Sequence, residues 1–225
     1  MKKIIINAPR RTSSSYLSLM VRNSLEDNTD LFFQKLDVGS SAVGKIQKWA
    51  TTHQNEIQVS IARNPYDVIV SDIVMLIMAS QRESSDNPAL ADKLLNDDIF
   101  FLKTVALEIK KLEKYYLANA RYADASHITY KFEDVVDEVK QVLVVKDILS
   151  SAGYAISTEF ESLFELAEMQ ASNGTLSRLD IVVNPENRTE LYATVQDKFA
   201  RLSDSISFNL VNAAYQQTLD VARTF

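Results

Sequence analysis

The chain has no cysteine, only four glycines and four prolines, and only two histidines in 225 residues. Without cysteine there is no disulfide and no thiolate metal site, and nothing points to secretion. His53 and His127 are too few and too far apart in sequence to make a recognisable zinc motif, so no metal is expected. The glycines are Gly39, Gly44, Gly153 and Gly174. None stands where GxGxxG or GxxxxGK[ST] needs one, which excludes the usual glycine-rich phosphate loops. Positive charge is short as well. Lys and Arg total 24 against 30 Asp and Glu, a formal net charge of -6. Bulk binding to nucleic acid usually leaves a basic excess or stripe, so no nucleic-acid partner is expected. A local positive pocket remains compatible with an acidic total. Long apolar runs are missing too. The opening Ile4-Ile5-Ile6 is too short for a signal-peptide core, and no segment approaches the roughly 20 apolar residues of a membrane span. No membrane association is expected, and the expected location is cytoplasmic.

What is present is the composition of a folded globule. Apolar residues make up 46% and charged residues 24%. The length suits one large domain, or a domain with an appended helical part. Residues 3–7 form a short β-branched run without alternation, as expected of a strand covered on both faces. Pro9 breaks it, and Ser13, Ser14 or Ser15 can cap the helix that follows. Residues 31–38 and 57–62 read as further strands, with a helix over 39–56 between them. After Asn64-Pro65 a helix runs to about Ser80. The polar stretch 81–88 leads, through Pro88, into a helical pattern that continues to about Ala123 with an interruption near Asn96–Asp98. Residues 81–98, which join two helices, are a candidate lid over the site. Residues 126–132 read as a strand, and 133–152 as one helix ended by Gly153. Residues 154–225 read as mostly helical, with a loop near 172–186. The alternation of strand and helix predicts an α/β fold with a small parallel β-sheet flanked by helices.

Two segments carry candidate chemistry. The first is APRRTSSSYL, between the first strand and the first helix. It places Arg10, Arg11, Thr12, Ser13, Ser14 and Ser15 around one helix start. Helix N-termini offer unsatisfied N–H groups and a positive dipole end, and arginine binds phosphate or sulfate oxygens bidentately. A capping serine beside two exposed arginines would look the same in sequence. The second segment is IARNPYDVIVS. Arg63 ends a strand, Asn64-Pro65 starts a helix, and Ser71 stands about two turns along it. Here the alternative is a helix-starting Asn-Pro with a buried serine.

Together these segments resemble the cofactor motifs of sulfotransferases that use 3′-phosphoadenosine 5′-phosphosulfate (PAPS). The stretch Arg11-Thr12-Ser13-Ser14-Ser15-Tyr16-Leu17 is similar to the family's 5′-phosphosulfate loop. Ser13 stands where the family usually has glycine, and Pro9 is displaced by the inserted Arg10. A serine there calls for a backbone conformation comfortable for a residue with a Cβ. Arg63, Asn64-Pro65 and Ser71 are similar to the 3′-phosphate motif. A weaker likeness covers Tyr130, Glu133, Asp134 and Val135, where the family often has Tyr-Glu-Asp-Leu and this chain inserts Lys131-Phe132. The resemblance spans residues 3–153.

The resemblance implies a P-loop-like sulfotransferase fold in a single domain over 1–225. A cofactor-binding core of about 1–153 would precede a largely helical part over 154–225. It implies PAPS as cofactor, adenosine 3′,5′-bisphosphate as product, and a small-molecule or glycan acceptor. Arg10, Arg11, Thr12, Ser13, Ser14, Ser15, Arg63 and Ser71 would bind the cofactor, with Arg11 also neutralising the leaving phosphate. The general base is open between two residues. Asp37 falls roughly where the family's histidine is expected, with Lys35 matching a family lysine, but it is equally a turn cap. His53 closes the 39–56 helix, where a dipole contact also accounts for it. Two rivals follow: an inactive nucleotide-binding or interaction protein on the same fold, and a small-molecule kinase. The kinase is disfavoured by the missing glycines and Lys-Ser/Thr pair.

Overall fold

A computed structural model describes residues 2–6, 8, 13–24, 31–32, 56–81, 89–123, 126–156, 160 and 185–225. Among these, β1 (Lys3–Ile6), β2 (Leu31–Phe32), β3 (Glu56–Ala62) and β4 (His127–Lys131) form a parallel sheet in the order β2-β1-β3-β4. The described residues of β2 are the edge pair Leu31–Phe32, alongside Ile4 and Ile5. Ile6 stands opposite Val59, and Ile61 opposite Tyr130. The helices are α1 (Ser14–Asn23), α2 (Pro65–Ser80), α3 (Ala89–Asn96), α4 (Asp98–Tyr122), α5 (Phe132–Val136), α6 (Lys140–Ser151), α7 (Pro185–Arg201) and α8 (Asn209–Asp220). The result is mixed α/β, with a small parallel sheet flanked by helices and a large helical share. Among the described residues no helix is long and apolar enough to cross a membrane.

The sheet separates two apolar cores. Ile4, Ile5 and Ile6 are all buried, because both faces of β1 are covered. β3 and β4 alternate in what they touch. Ile57, Val59, Ile61, Ile128 and Tyr130 pack with Leu17, Met20 and Val21 of α1 and Val144, Val145 and Ile148 of α6. Ala62 joins the other core, built from α2, α3, α4, α7 and α8. On that side the strands also carry polar residues, and α4 supplies their partner. The Ser60 hydroxyl donates to Asn119 Oδ1 at 3.0 Å, and His127 Nε2 lies 2.9 Å from the same oxygen. Buried polar groups are tolerated only when bonded in this way. His127 is therefore a structural residue of the interior.

Element ends follow local chemistry. Asn64 Oδ1 accepts the Tyr66 N–H at 2.9 Å, and Pro65 sits in the first turn of α2. The expected interruption near Asn96–Asp98 is Asp97, whose carboxylate accepts the Phe100 N–H at 2.9 Å and starts α4. The single helix expected over 133–152 is instead two. Asp137 stops α5, and its Oδ1 accepts the N–H groups of Val139 and Lys140 at 3.0 and 2.9 Å. An aspartate that bonds its neighbours' backbone competes with a continuous helix. α6 ends as expected. Gly153 adopts φ 83, its N–H donates to Ser150 O, and the Tyr154 N–H donates to Leu149 O.

The C-terminal part closes one face and one edge. Pro185, expected inside a loop, starts α7. From α7, the buried Lys198 donates to the carbonyls of Leu94 and Leu95 and pairs with Asp98, which Arg201 also grips through both oxygens. These bonds, Arg201 first, hold the Asp98 carboxyl well below its ordinary range. α8 packs along α4, with the Thr218 hydroxyl donating to Tyr116 O at 2.8 Å. The tail then reaches β4, where the Arg223 N–H donates to Thr129 O at 2.8 Å.

Candidate functional site

The strand order fixes where a ligand site belongs. From β1 the chain goes to β2 on one side and then to β3 on the other. The crevice at the carboxyl ends of β1 and β3 is therefore a topological switch point, the usual ligand position in an open parallel sheet. Both segments singled out in the sequence leave the sheet there. One follows Ile6, the other follows Ala62.

Arg10, Arg11, Thr12, Asp37 and His53 lie outside the described residues. Ser13 occupies the N-cap of α1 at φ 57 and ψ 18, the one described non-glycine residue at positive φ. Its carbonyl accepts the Leu17 N–H at 2.9 Å, and its side chain makes no capping bond. The expected conformation was one comfortable for a side chain; the observed one is left-handed, the region glycine favours. Position 13 thus has a backbone shape that glycine favours, on a serine. Ser14 opens α1, and Ser15 is half-buried in its first turn.

Arg63 follows the last paired rung of the sheet, Ala62 against Lys131. The next residue on β4's side is Phe132, and the Arg63 guanidinium lies over its ring, 4.2 Å from the centroid. Strand alternation accounts for this. Arg63 continues the series Ile57, Val59, Ile61, and Phe132 continues Ile128, Tyr130. Phe132 packs against the core that contains α1. The cation therefore lies on the face of the sheet that α1 covers, at the end from which α1 starts. The α1 N-terminus and Arg63 bring positive potential to one corner.

The main chain of Arg63 is held from the other face. Its carbonyl accepts the hydroxyl of Tyr116. Tyr116 is fully buried between Tyr115 and Tyr215, with ring centroids 5.4 and 5.3 Å away. Burial, and then its tyrosine neighbours, raise the Tyr116 hydroxyl well above the ordinary value, so it stays a neutral donor.

Ser71 is placed differently from Arg63. It stands about 9 Å along α2 from Pro65, at 2% exposure, amid Val70, Ile73 and Val74 of the α2–α4 core. Of the two, only Arg63 is partly accessible.

Phe132 and Tyr116 carry no motif that marks them in the sequence. For Phe132 the signal was available: it is one of the two residues inserted after Tyr130, and period-two counting from Ile128 puts it beside Arg63. Tyr116 meets Arg63 across 53 residues of sequence, and no local pattern encodes that.

A helix N-terminus and a guanidinium over an aromatic ring are two positive groups at this end of the sheet face. No family model, no curated protein and no solved structure matches this chain.

Proposed function

We propose that the chain binds a nucleotide phosphorylated on both its 3′ and 5′ sides and acts as a PAPS-dependent sulfotransferase, on a P-loop-like sulfotransferase fold. One observation carries the proposal. The left-handed turn at Ser13 and the arginine after β3 leave adjacent parallel strands at the switch point of the sheet. The loop after β1 would take the 5′ side of PAPS, and Arg63 the 3′-phosphate. The bond between sulfur and the 5′-phosphate oxygen breaks as the acceptor oxygen or nitrogen bonds to sulfur. The phosphate would leave with the electron pair, and Arg11 would neutralise its charge. The acceptor proton passes to a base, Asp37 or His53. Such a transfer depends on positioning and on charge neutralisation.

Calorimetry tests the proposal. Adenosine 3′,5′-bisphosphate is expected to bind, and ATP with magnesium is not. Tighter binding of magnesium-ATP would overturn it in favour of phosphoryl chemistry. With PAPS and a panel of hydroxyl and amine acceptors, a sulfated product is expected. Bisphosphate binding with no product from any acceptor would leave a nucleotide-binding protein on this fold.

A further inference from the structure

We infer that Phe132 is a positioning residue for the Arg63 guanidinium, and through it for a phosphate on the ribose 3′ carbon of the bound nucleotide. The inference rests on the nucleotide reading above and adds a residue to it.

Three observations lead there. First, the contact is built by the sheet rather than by chance surface proximity. Arg63 and Phe132 each follow one partner of the Ala62–Lys131 rung, and both continue the alternation of the same face. Second, Phe132 is itself fixed. It opens α5, packs against the core shared by Tyr130 and Val135, and is partly buried. Third, the opposite end of Arg63 is fixed as well, by the Tyr116 hydroxyl on its carbonyl. The residue is thus restrained at its backbone from one face and at its guanidinium from the other.

The geometry has a chemical consequence. A guanidinium donates hydrogen bonds in its own plane, at its edge. The ring covers one side of the guanidinium, whose carbon lies 4.2 Å from the centroid, and so limits the directions its N–H groups can take. A long, many-rotamer side chain is thereby pre-organised toward one direction, which reduces the ordering it must undergo when an anion arrives. The ring also excludes water from one side of the cation, which strengthens its attraction for a phosphate. Phe132 therefore acts on affinity for the 3′-phosphate and not on affinity for the rest of the nucleotide.

The experiment compares adenosine 3′,5′-bisphosphate with adenosine 5′-monophosphate, by calorimetry, on full-length chains. Wild type is expected to prefer the bisphosphate. Phe132→Leu is expected to weaken bisphosphate binding about tenfold, the size of the ordering cost of one rotamer-rich side chain, and to leave 5′-monophosphate binding unchanged. Phe132→Met, which has no ring, carries the same expectation and serves if the leucine variant does not fold. Phe132→Tyr keeps a ring and should keep the preference. Adding Phe132→Leu to Arg63→Ala should cost nothing further, since the two act through one group. A wild type that discriminates, with leucine and methionine variants that keep both affinities or lose both equally, overturns the inference and leaves the nucleotide reading standing. A wild type that shows no preference for the bisphosphate, or binds neither nucleotide, overturns both.

Discussion

The Ser13 carbonyl accepts the Leu17 N–H at 2.9 Å while Ser13 itself is held at φ 57. The first turn of α1 therefore starts from a backbone state that a Cβ disfavours. A left-handed non-glycine residue costs about 1–2 kcal/mol, of which glycine's greater freedom in the unfolded chain cancels roughly 0.5–1 kcal/mol. Ser13→Gly is expected to stabilise the fold by about 0.5–1 kcal/mol, since no side-chain cap is lost. Ser13→Val should act in the opposite direction, because branching at Cβ makes the left-handed region worse. Urea unfolding with an unchanged slope measures both. A glycine variant less stable than wild type would mean that the left-handed turn is not the solution state.

Removing Arg63 separates a ligand role from a structural one. Its side chain is partly exposed, so Arg63→Ala should change stability by no more than about 1 kcal/mol through the lost Phe132 contact. If Arg63 makes charged hydrogen bonds to a phosphate, the same change should weaken adenosine 3′,5′-bisphosphate binding by roughly 1.5–3 kcal/mol. Calorimetry on a variant with a wild-type melting profile reads this directly. Unchanged affinity would remove Arg63 from the site.

Features encoded locally were legible in the sequence. The unalternating Ile4–Ile6 run announced a strand covered on both faces, and Asn64-Pro65 announced a strand end with a capped helix start. Gly153 announced its own left-handed cap. What failed depended on competition or on distant partners. The apolar pattern ran straight through Asp137, and only the bonds from its carboxylate to Val139 and Lys140 show that the helix breaks there. Serine at position 13 pointed away from a left-handed backbone. The buried position of Ser71 depends on how α2 packs on α4 and α7, which a spacing of eight residues does not contain. Tyr116 and Phe132 reach Arg63 through pairing between strands and layers.

The tail is tied to the sheet by a shared carboxylate oxygen. Asp147 Oδ2 accepts from the Tyr130 hydroxyl at 2.6 Å and from Arg223 Nη1, and Arg223 also donates to Ser151 Oγ at 2.9 Å. Asp147 and Arg223 are partly exposed, so each single loss is discounted for solvent. Tyr130→Phe and Arg223→Ala should each cost about 1–2 kcal/mol. Either variant leaves Asp147 one donor, and the double variant leaves it neither. The double loss should therefore exceed the sum of the singles by about 0.5–1 kcal/mol. A double-mutant cycle by chemical denaturation measures the excess. Simple additivity would show that the two donors do not share a partner in solution.

Buried tyrosines set an alkaline limit on the fold. Burial pushes Tyr115 up to about 12 from its ordinary value near 10, with bonds to Ser60, Asn119 and Ile61 opposing the rise. Burial, then the carboxylates of Glu133 and Asp67, pushes Tyr215 up to about 12 as well. Tyr116 and Tyr130 are raised in the same direction, again mainly by burial. A hydroxyl whose folded value exceeds its unfolded one stabilises the fold fully below the unfolded value. That stability is lost as pH climbs through the folded value. The window is therefore about pH 10 to 12. For Tyr115 alone a two-unit rise corresponds to roughly 3 kcal/mol in full. At neutral pH, Tyr115→Phe should cost about 1–2 kcal/mol, because the buried hydroxyl loses its bonds to Ser60, Asn119 and Ile61. Between pH 8 and pH 12 the variant should gain up to about 2 kcal/mol on wild type, since it has no proton to lose there. Denaturant midpoints across that range, with tyrosinate absorbance followed in parallel, give the comparison. Equal loss in the two proteins would mean that Tyr115 already ionises freely in the folded state.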